Sequence, residues 1–111
     1  MPDRQDAALM LQLAQWGAMM NIEEALQTIW SDDFDPEGAS VDDPLVNRVL
    51  MWGETIGTLT KNQLIDIDLV LDWLWAAGLW GRVGPAAKKQ REKFGVPEIY
   101  ENFEALAAKQ S

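Results

Sequence analysis

Apolar residues recur at intervals of three and four along nearly the whole chain, and this spacing limits the fold more than any other feature. Leu45, Val49, Trp52, Ile56 and Leu59 show it most clearly. Residues spaced in this way share one face of an α-helix. No stretch keeps the alternation of apolar and polar residues that a half-buried strand needs. We therefore predict an all-α fold, a single domain over residues 1–111 with a bundle of about five helices.

Capping residues and breakers set the expected helix ends. Asn21, Asp43 and Asp66 each stand where a helix is expected to begin, and Pro44 suits a first helical position. The helix from about 66 to 81 is apolar almost all round, so we expect it to be long, central and buried. The predicted helices cover residues 5–20, 22–30, 44–60 and 66–81, with a Gly/Pro break at 81–85, a continuation to 94 and a last helix opened by Pro97.

Two glycines one turn apart, Gly53 and Gly57, interrupt the side chains of the third predicted helix. Glycine inside a helix costs about 1 kcal/mol relative to alanine. Such a pair therefore indicates close approach by another element, and the Trp-rich helix 66–81 is the expected partner.

The negative charge is concentrated in one part of the chain. The sequence has 18 acidic and 9 basic residues, and twelve of the acidic ones lie between residues 21 and 72, opposite only Arg48 and Lys61. Proteins that bind nucleic acid neutralise its phosphates with Lys and Arg, so we expect no nucleic-acid binding here. An acidic loop at 31–42 lies inside this segment. One alternative is that the segment imitates nucleic acid as a decoy.

The chain contains neither Cys nor His. Disulfides, thiolate nucleophiles, sulfur-bound zinc and imidazole ligands are therefore excluded, and we expect no cofactor. Asp68 and Asp72 lie one helical turn apart, with Glu54 as a further acid, and paired carboxylates can hydrolyse glycosides. A domain of this size offers little surface for the necessary cleft, so we expect a non-catalytic protein.

The acidic loop partly matches a calcium-binding EF-hand loop. Asp33, Asp35 and Glu37 occupy positions one, three and five, and Gly38 follows. Position twelve, which needs a bidentate Glu, is Pro44. We therefore predict no metal site and leave open a loose association with cations.

Six tryptophans divide into two groups. Trp16, Trp52, Trp73 and Trp80 fall on predicted packing faces and are expected to fill the core. Trp75 lies on a different side of its helix from Trp73, and Trp30 lies where a helix meets the acidic loop, so we expect one or both to be exposed. Exposed Trp side chains often anchor protein interfaces. The predicted interaction residues are Trp30, Trp75, Asp32, Asp33, Asp35 and Glu37.

Two further groupings are predicted from helix faces. Glu54, Asp72, Trp73 and Trp80 would line a pocket for a small apolar or cationic ligand, since aromatic walls with nearby carboxylates suit cations. Arg91 and Glu104 would form a structural ion pair that closes the last helix on the bundle.

We expect neither a leader nor a membrane span. Acidic Asp3 and Asp6 replace a basic start, and the most apolar stretch, residues 67–80, is shorter than the roughly 20 residues a span requires. We therefore expect a cytoplasmic protein.

The C-terminal half resembles a bacterial family of uncharacterised small helical domains. The resemblance covers roughly residues 45–107 and rests on the apolar segment ending at Trp80, the basic segment 88–91 and the motif Tyr-Glu-Asn-Phe-Glu at 100–104. It implies a helical fold and no known activity. Our leading hypothesis is a protein-interaction or regulatory module, with an unknown protein partner or a second copy. The alternatives are the ligand pocket and the acidic decoy.

Overall fold

The computed structural model describes residues 2–110, and within this range the chain forms helices joined by turns, with no strand. The all-α prediction is confirmed, although the described range holds six helices rather than about five. They are α1 (Arg4–Met19), α2 (Ile22–Trp30), α3 (Pro44–Lys61), α4 (Ile67–Trp73), α5 (Ala76–Phe94) and α6 (Glu101–Ala108). None of these helices is both long and apolar enough to cross a membrane.

Helix α3 is central and packs against α2, α5 and α6. Its buried residues repeat at helical spacing. They include Val46, Val49, Leu50, Trp52 and Ile56. The helix predicted to be central, 66–81, does not exist as one element. The core therefore forms around α3, the helix that contains Gly53 and Gly57, rather than around the predicted Trp-rich helix.

The two glycines of α3 accommodate α6. A Cβ atom on Gly53 would lie 2.3 Å from Cε2 of Phe103, and one on Gly57 would lie 2.4 Å from the backbone oxygen of Asn102. Both distances are far below van der Waals contact. The close approach predicted from Gly53 and Gly57 is present, but the expected partner was wrong: α6 fills the notch.

The predicted break at 81–85 was also wrong. The chain leaves the helix at Leu74 and Trp75, and α5 then runs without interruption through Pro85 to Phe94. Proline clashes with the Cβ of the preceding residue, and that residue is Gly84, which has none. The buried stripe of α5 continues across the proline and stabilises the helix on both sides of it; it consists of Ala76, Leu79, Val83, Ala86 and Ala87.

Two of the three predicted N-caps are present. The side chain of Asp43 accepts from the backbone N–H of Leu45, and Asp66 caps α4. Asn21 instead adopts a left-handed conformation and its side chain makes no capping bond, although α2 does begin directly after it. Asn tolerates this conformation, which lets α1 turn directly into α2.

An unforeseen capping box fixes the first helix. Asp3 and Asp6 cap each other's backbone N–H groups at 2.9 Å, and Asp6 Oδ1 also accepts from the backbone N–H of Asp66 at 2.8 Å. The bonds from Asp3 and Asp66 lower the pKa of the Asp6 carboxyl below its usual value. Asp6 therefore ties the start of α1 to the start of α4.

Candidate functional site: an exposed tryptophan pair

Trp30 and Trp75 stack on each other at the surface. Their ring centroids are 5.4 Å apart and their planes differ by 7°. Trp30 is 41% exposed and Trp75 is 65% exposed. The sequence set these two tryptophans apart from the rest, and the structure brings them together across 45 residues of chain. We call them the Trp pair.

The break between α4 and α5 positions Trp75. Leu74 is extended and Trp75 is the non-helical residue before α5, so its side chain lies outside both helices. The Gln110 side chain secures this break: its amide nitrogen donates to the carbonyl oxygens of Leu71 and Leu74 at 3.1 and 3.0 Å. Its amide oxygen accepts from the backbone N–H of Ala77 at 2.9 Å. One side chain thus satisfies backbone groups on both sides of the break.

Gly78 leaves room for the Trp75 ring. A Cβ atom at this position would lie 2.4 Å from Cδ2 of Trp75. Any larger residue would therefore push the indole out of its present orientation. By contrast, Gly81, one turn further along α5, has open space around it.

Trp30 is the last residue of α2, and Arg82 of α5 holds that end in place. The Arg82 Nε donates to the carbonyl oxygen of Ile29 at 2.6 Å, and Nη2 donates to that of Ser31 at 2.9 Å. Positive charge at a helix C-terminus is also favourable to the helix dipole. Its guanidinium lies 5.3 Å from the Phe34 ring, so the same side chain fixes the start of the acidic loop.

The acidic loop is held through its backbone and presents its carboxylates outward. Lys89 donates to the carbonyl oxygens of Glu37 and Ala39, the second at 3.0 Å. All four predicted interaction acids are exposed, namely Asp32, Asp33, Asp35 and Glu37. The ion pairs within residues 2–110 involve Glu24 and Glu104, so none of these four is neutralised by one.

A cleft of about 650 Å³ lies between α2 and the acidic loop, lined by Glu24, Gln27, Thr28, Asp33, Asp35 and Asp43 among others. Over the described range, no three acidic side chains are grouped as a metal ion would require. The EF-hand resemblance of the loop therefore does not extend to its geometry.

Three of the four predicted pocket residues make contacts with neighbouring helices, and the fourth, Asp72, is exposed. The Glu54 carboxylate accepts from the backbone N–H of Phe103 at 2.9 Å, and the Trp80 ring meets Phe103 edge-on at 5.2 Å. Trp73 instead meets Trp52 edge-on at 5.6 Å, and Asp72 is exposed. Phe103 occupies the space beside Glu54 and Trp80, so these contacts belong to the packed core.

The core tryptophans lie as predicted. Trp52 is buried and its Nε1 donates to the carbonyl oxygen of Leu13 at 3.2 Å. Trp16, Trp73 and Trp80 are half-buried and pack against the core. These four rings therefore contribute to the stability of the bundle.

Tyr100 is a weak candidate for acid–base chemistry. Its hydroxyl donates to Oδ1 of Asn47 at 3.1 Å. Burial, together with the negative charge of Glu54, raises the pKa of Tyr100 above its usual value. The phenol thus stays protonated at neutral pH, which is the wrong state for a general base.

Arg91 and Glu104 are in contact as expected. Arg91 Nη2 lies 2.9 Å from Glu104 Oε1, without the alignment of a hydrogen bond, and Arg91 Nε donates to the carbonyl oxygen of Ile99 at 2.8 Å. The guanidinium also lies 5.7 Å from the Trp80 ring. Arg91 therefore connects α5 to the turn before α6, which begins at Glu101 rather than at the predicted Pro97.

We expect Arg91→Ala to lower the free energy of unfolding by about 1–2 kcal/mol, because the carbonyl of Ile99 loses its partner in a half-buried position. Glu104→Gln should cost less than about 1 kcal/mol, since an ion pair with a half-exposed carboxylate is weak. Urea unfolding of both variants checks this. Equal losses would show that the charge pair, not the carbonyl bond, carries the effect.

Sequence reasoning missed Gly78, Arg82 and Gln110, which hold the Trp pair in place. Gln110 and Arg82 act on backbone groups 36 or more positions away, at Leu74 and Ile29, and no local pattern marks such bonds. The continuous α5 did leave a signal, because its apolar spacing of three and four runs through Gly84 and Pro85.

Comparison with known proteins identifies the family and no closer relative. Neither a curated protein nor a solved structure matches the chain. One family model matches residues 2–110, which extends the resemblance noted over residues 45–107 to the N-terminal helices as well. The chain therefore belongs to this family, which is described as a domain of unknown function (DUF4760).

Proposed function

We propose that this protein is a non-catalytic interaction module and that the Trp pair is the surface that meets its partner. The observation that carries the proposal is the stacking of two indoles that remain 41% and 65% exposed. Water-exposed aromatic area of this kind is a source of binding energy, because its burial in a complex is favourable.

Preorganisation strengthens the proposal. Trp is among the residues that dominate binding energy at interfaces. Binding is weakened when side chains must be ordered, at about 0.5–1.5 kcal/mol for each one. The rings of the Trp pair already restrain each other, and the Gln110 bonds restrain the backbone beneath Trp75. A partner would therefore meet a surface that needs little further ordering.

The chain offers a matched control for this surface. Phe94 is also aromatic and is 59% exposed, but it lies at the opposite end of α5 from Trp75. A 19-residue helix is about 28 Å long, so Phe94 lies well away from the Trp pair.

The experiment is affinity capture from the source cells with four immobilised proteins: wild type, Trp30→Ala, Trp75→Ala and Phe94→Ala. We expect wild type and Phe94→Ala to retain the same partner protein and both tryptophan variants to lose it. Circular dichroism should show the same helix content in all four. Retention of that partner by folded Trp75→Ala would refute the proposal.

Light scattering tests whether the partner is a second copy. A dimer that Trp75→Ala converts to a monomer would assign the Trp pair to self-association. A wild-type monomer at high concentration would exclude that form of the proposal and leave a different protein as the partner.

A further inference from the structure

We infer that the Trp pair binds a positively charged segment of another protein, with an Arg or Lys side chain placed against the exposed indole face. This inference rests on the proposed function and adds the chemistry of the partner. It combines the geometry of the two rings with the charges around them.

An exposed acidic residue lies close in the chain to each tryptophan. Asp32 is two residues from Trp30, and Asp72 is three residues before Trp75. Both aspartates are exposed, and neither is among the ion pairs found within residues 2–110. A cation on the Trp pair would therefore lie close to two carboxylates that no ion pair within residues 2–110 neutralises.

The basic residue that lies near Trp30 already has its partners. Arg82 is half-buried, and its guanidinium donates to the carbonyl oxygens of Ile29 and Ser31. Its Nε and Nη2 are therefore engaged by the protein's own backbone. Since residues 21–72 carry twelve acidic residues against two basic ones, the surrounding potential also attracts positive charge.

An indole face is the best aromatic surface for a cation. The attraction is about 0.5–1 kcal/mol at exposed sites and about 2 kcal/mol when water is excluded. Guanidinium groups can also stack flat on a ring and form paired bonds with a carboxylate. The Trp pair and its aspartates therefore offer both kinds of contact that an arginine side chain uses.

Charge disfavours two other occupants. A two-fold dimer built on the Trp pair would bring Asp32 and Asp72 of both copies to the same interface, and like charges at an interface cost binding energy. A nucleic acid would bring phosphates to the same carboxylates. A basic protein segment is the occupant whose charge complements this surface.

The test uses a synthetic twelve-residue peptide with four arginines separated by Gly and Ser, and a second peptide with Gln in place of each Arg. Isothermal titration calorimetry at physiological ionic strength measures both against the full chain. We expect measurable affinity for the Arg peptide and at least tenfold weaker affinity for the Gln peptide.

Variants of the chain locate the binding. Trp75→Ala should weaken binding of the Arg peptide about tenfold, which corresponds to about 1.4 kcal/mol. Gly78→Ala should weaken it as well, because the new Cβ displaces the Trp75 ring. Phe94→Ala and Gly81→Ala are the matched controls and should bind like wild type.

A second pair of variants separates local from overall charge. The double variant Asp32→Asn with Asp72→Asn should bind the peptide several-fold more weakly than Glu92→Gln with Glu98→Gln, which makes the same change in net charge elsewhere. All four residues are exposed, so both double variants should fold.

Three results would overturn the inference: equal binding of the Arg and Gln peptides, unchanged binding by Trp75→Ala, or equal losses in the two double variants. If cellular capture still depended on Trp75 in those cases, the interaction module would stand and only the basic partner would be rejected. Loss of Trp75 dependence in capture would instead reject the proposed function itself.

Discussion

Gly57→Ala is expected to lower the free energy of unfolding by about 3 kcal/mol, the upper end for adding a methyl group to a packed site. The new Cβ would lie 2.4 Å from the backbone oxygen of Asn102 and 2.6 Å from its carbonyl carbon. Backbone atoms cannot rotate away as a side chain can, so α6 would have to move off α3. Differential scanning calorimetry should show a melting temperature lower by roughly 10 °C or more.

Gly81→Ala is the control for this prediction, because it makes the same chemical change in a helix with open space around it. Alanine favours the helix by about 1 kcal/mol over glycine, so this variant should be slightly more stable than wild type. A Gly57→Ala variant as stable as wild type would mean that α3 and α6 are not in backbone contact.

Phe103→Ala is expected to lower the free energy of unfolding by about 3–5 kcal/mol, the usual range for truncating a buried phenylalanine. Phe103 is 1% exposed, meets Trp80 edge-on and occupies the space next to Gly53. Its removal leaves a cavity between α3, α5 and α6. Urea unfolding measures the loss, and Phe94→Ala, which truncates an exposed ring, should change stability by less than about 0.5 kcal/mol.

A double-mutant cycle tests whether Phe103 is the reason for Gly53. In the wild-type background, Gly53→Ala should destabilise the protein, because the new Cβ would lie 2.3 Å from the Phe103 ring. In the Phe103→Ala background the clash is absent, and the same change should stabilise the helix by up to about 1 kcal/mol. If Gly53→Ala had the same effect in both backgrounds, the two positions would not be coupled.

Local features of the sequence were enough to predict most of the helices. The pair Asp43 and Pro44 marked the start of α3, and Asp66 marked the start of α4. Both signals act within one turn of the chain. The end of α5 also depends on a local feature, because Gly95 adopts the left-handed conformation that ends a helix.

Two of the errors involve contacts that the local sequence does not show. The break at Leu74 contains neither Gly nor Pro, and Gln110 satisfies its backbone groups from the other end of the chain. The helix across Pro85 depends on Gly84 beside it and on the core that covers Val83. Pro85 by itself therefore does not end the helix.

The sequence predicted which tryptophans belong to the candidate site, but not that they form one surface. Trp75 stood out by its position on its helix and Trp30 by its place at a helix end, and each of these is a property of one helix at a time. Their stacking at 5.4 Å depends on how α2 meets α5, and Arg82 and Gly78 contribute to that arrangement.

The sequence by itself determined the helical fold class, most helix ends, the acidic segment and the chemistry that the absence of Cys and His excludes. The tertiary structure alone decided which helix fills the glycine notch, where the chain breaks before α5 and that two tryptophans form one exposed surface. The physical reason is the separation of the interacting residues along the chain. Capping and helical periodicity act between residues up to four apart, whereas tertiary contacts such as Gln110 with Ala77 and Asp6 with Asp66 join residues 33 and 60 positions apart.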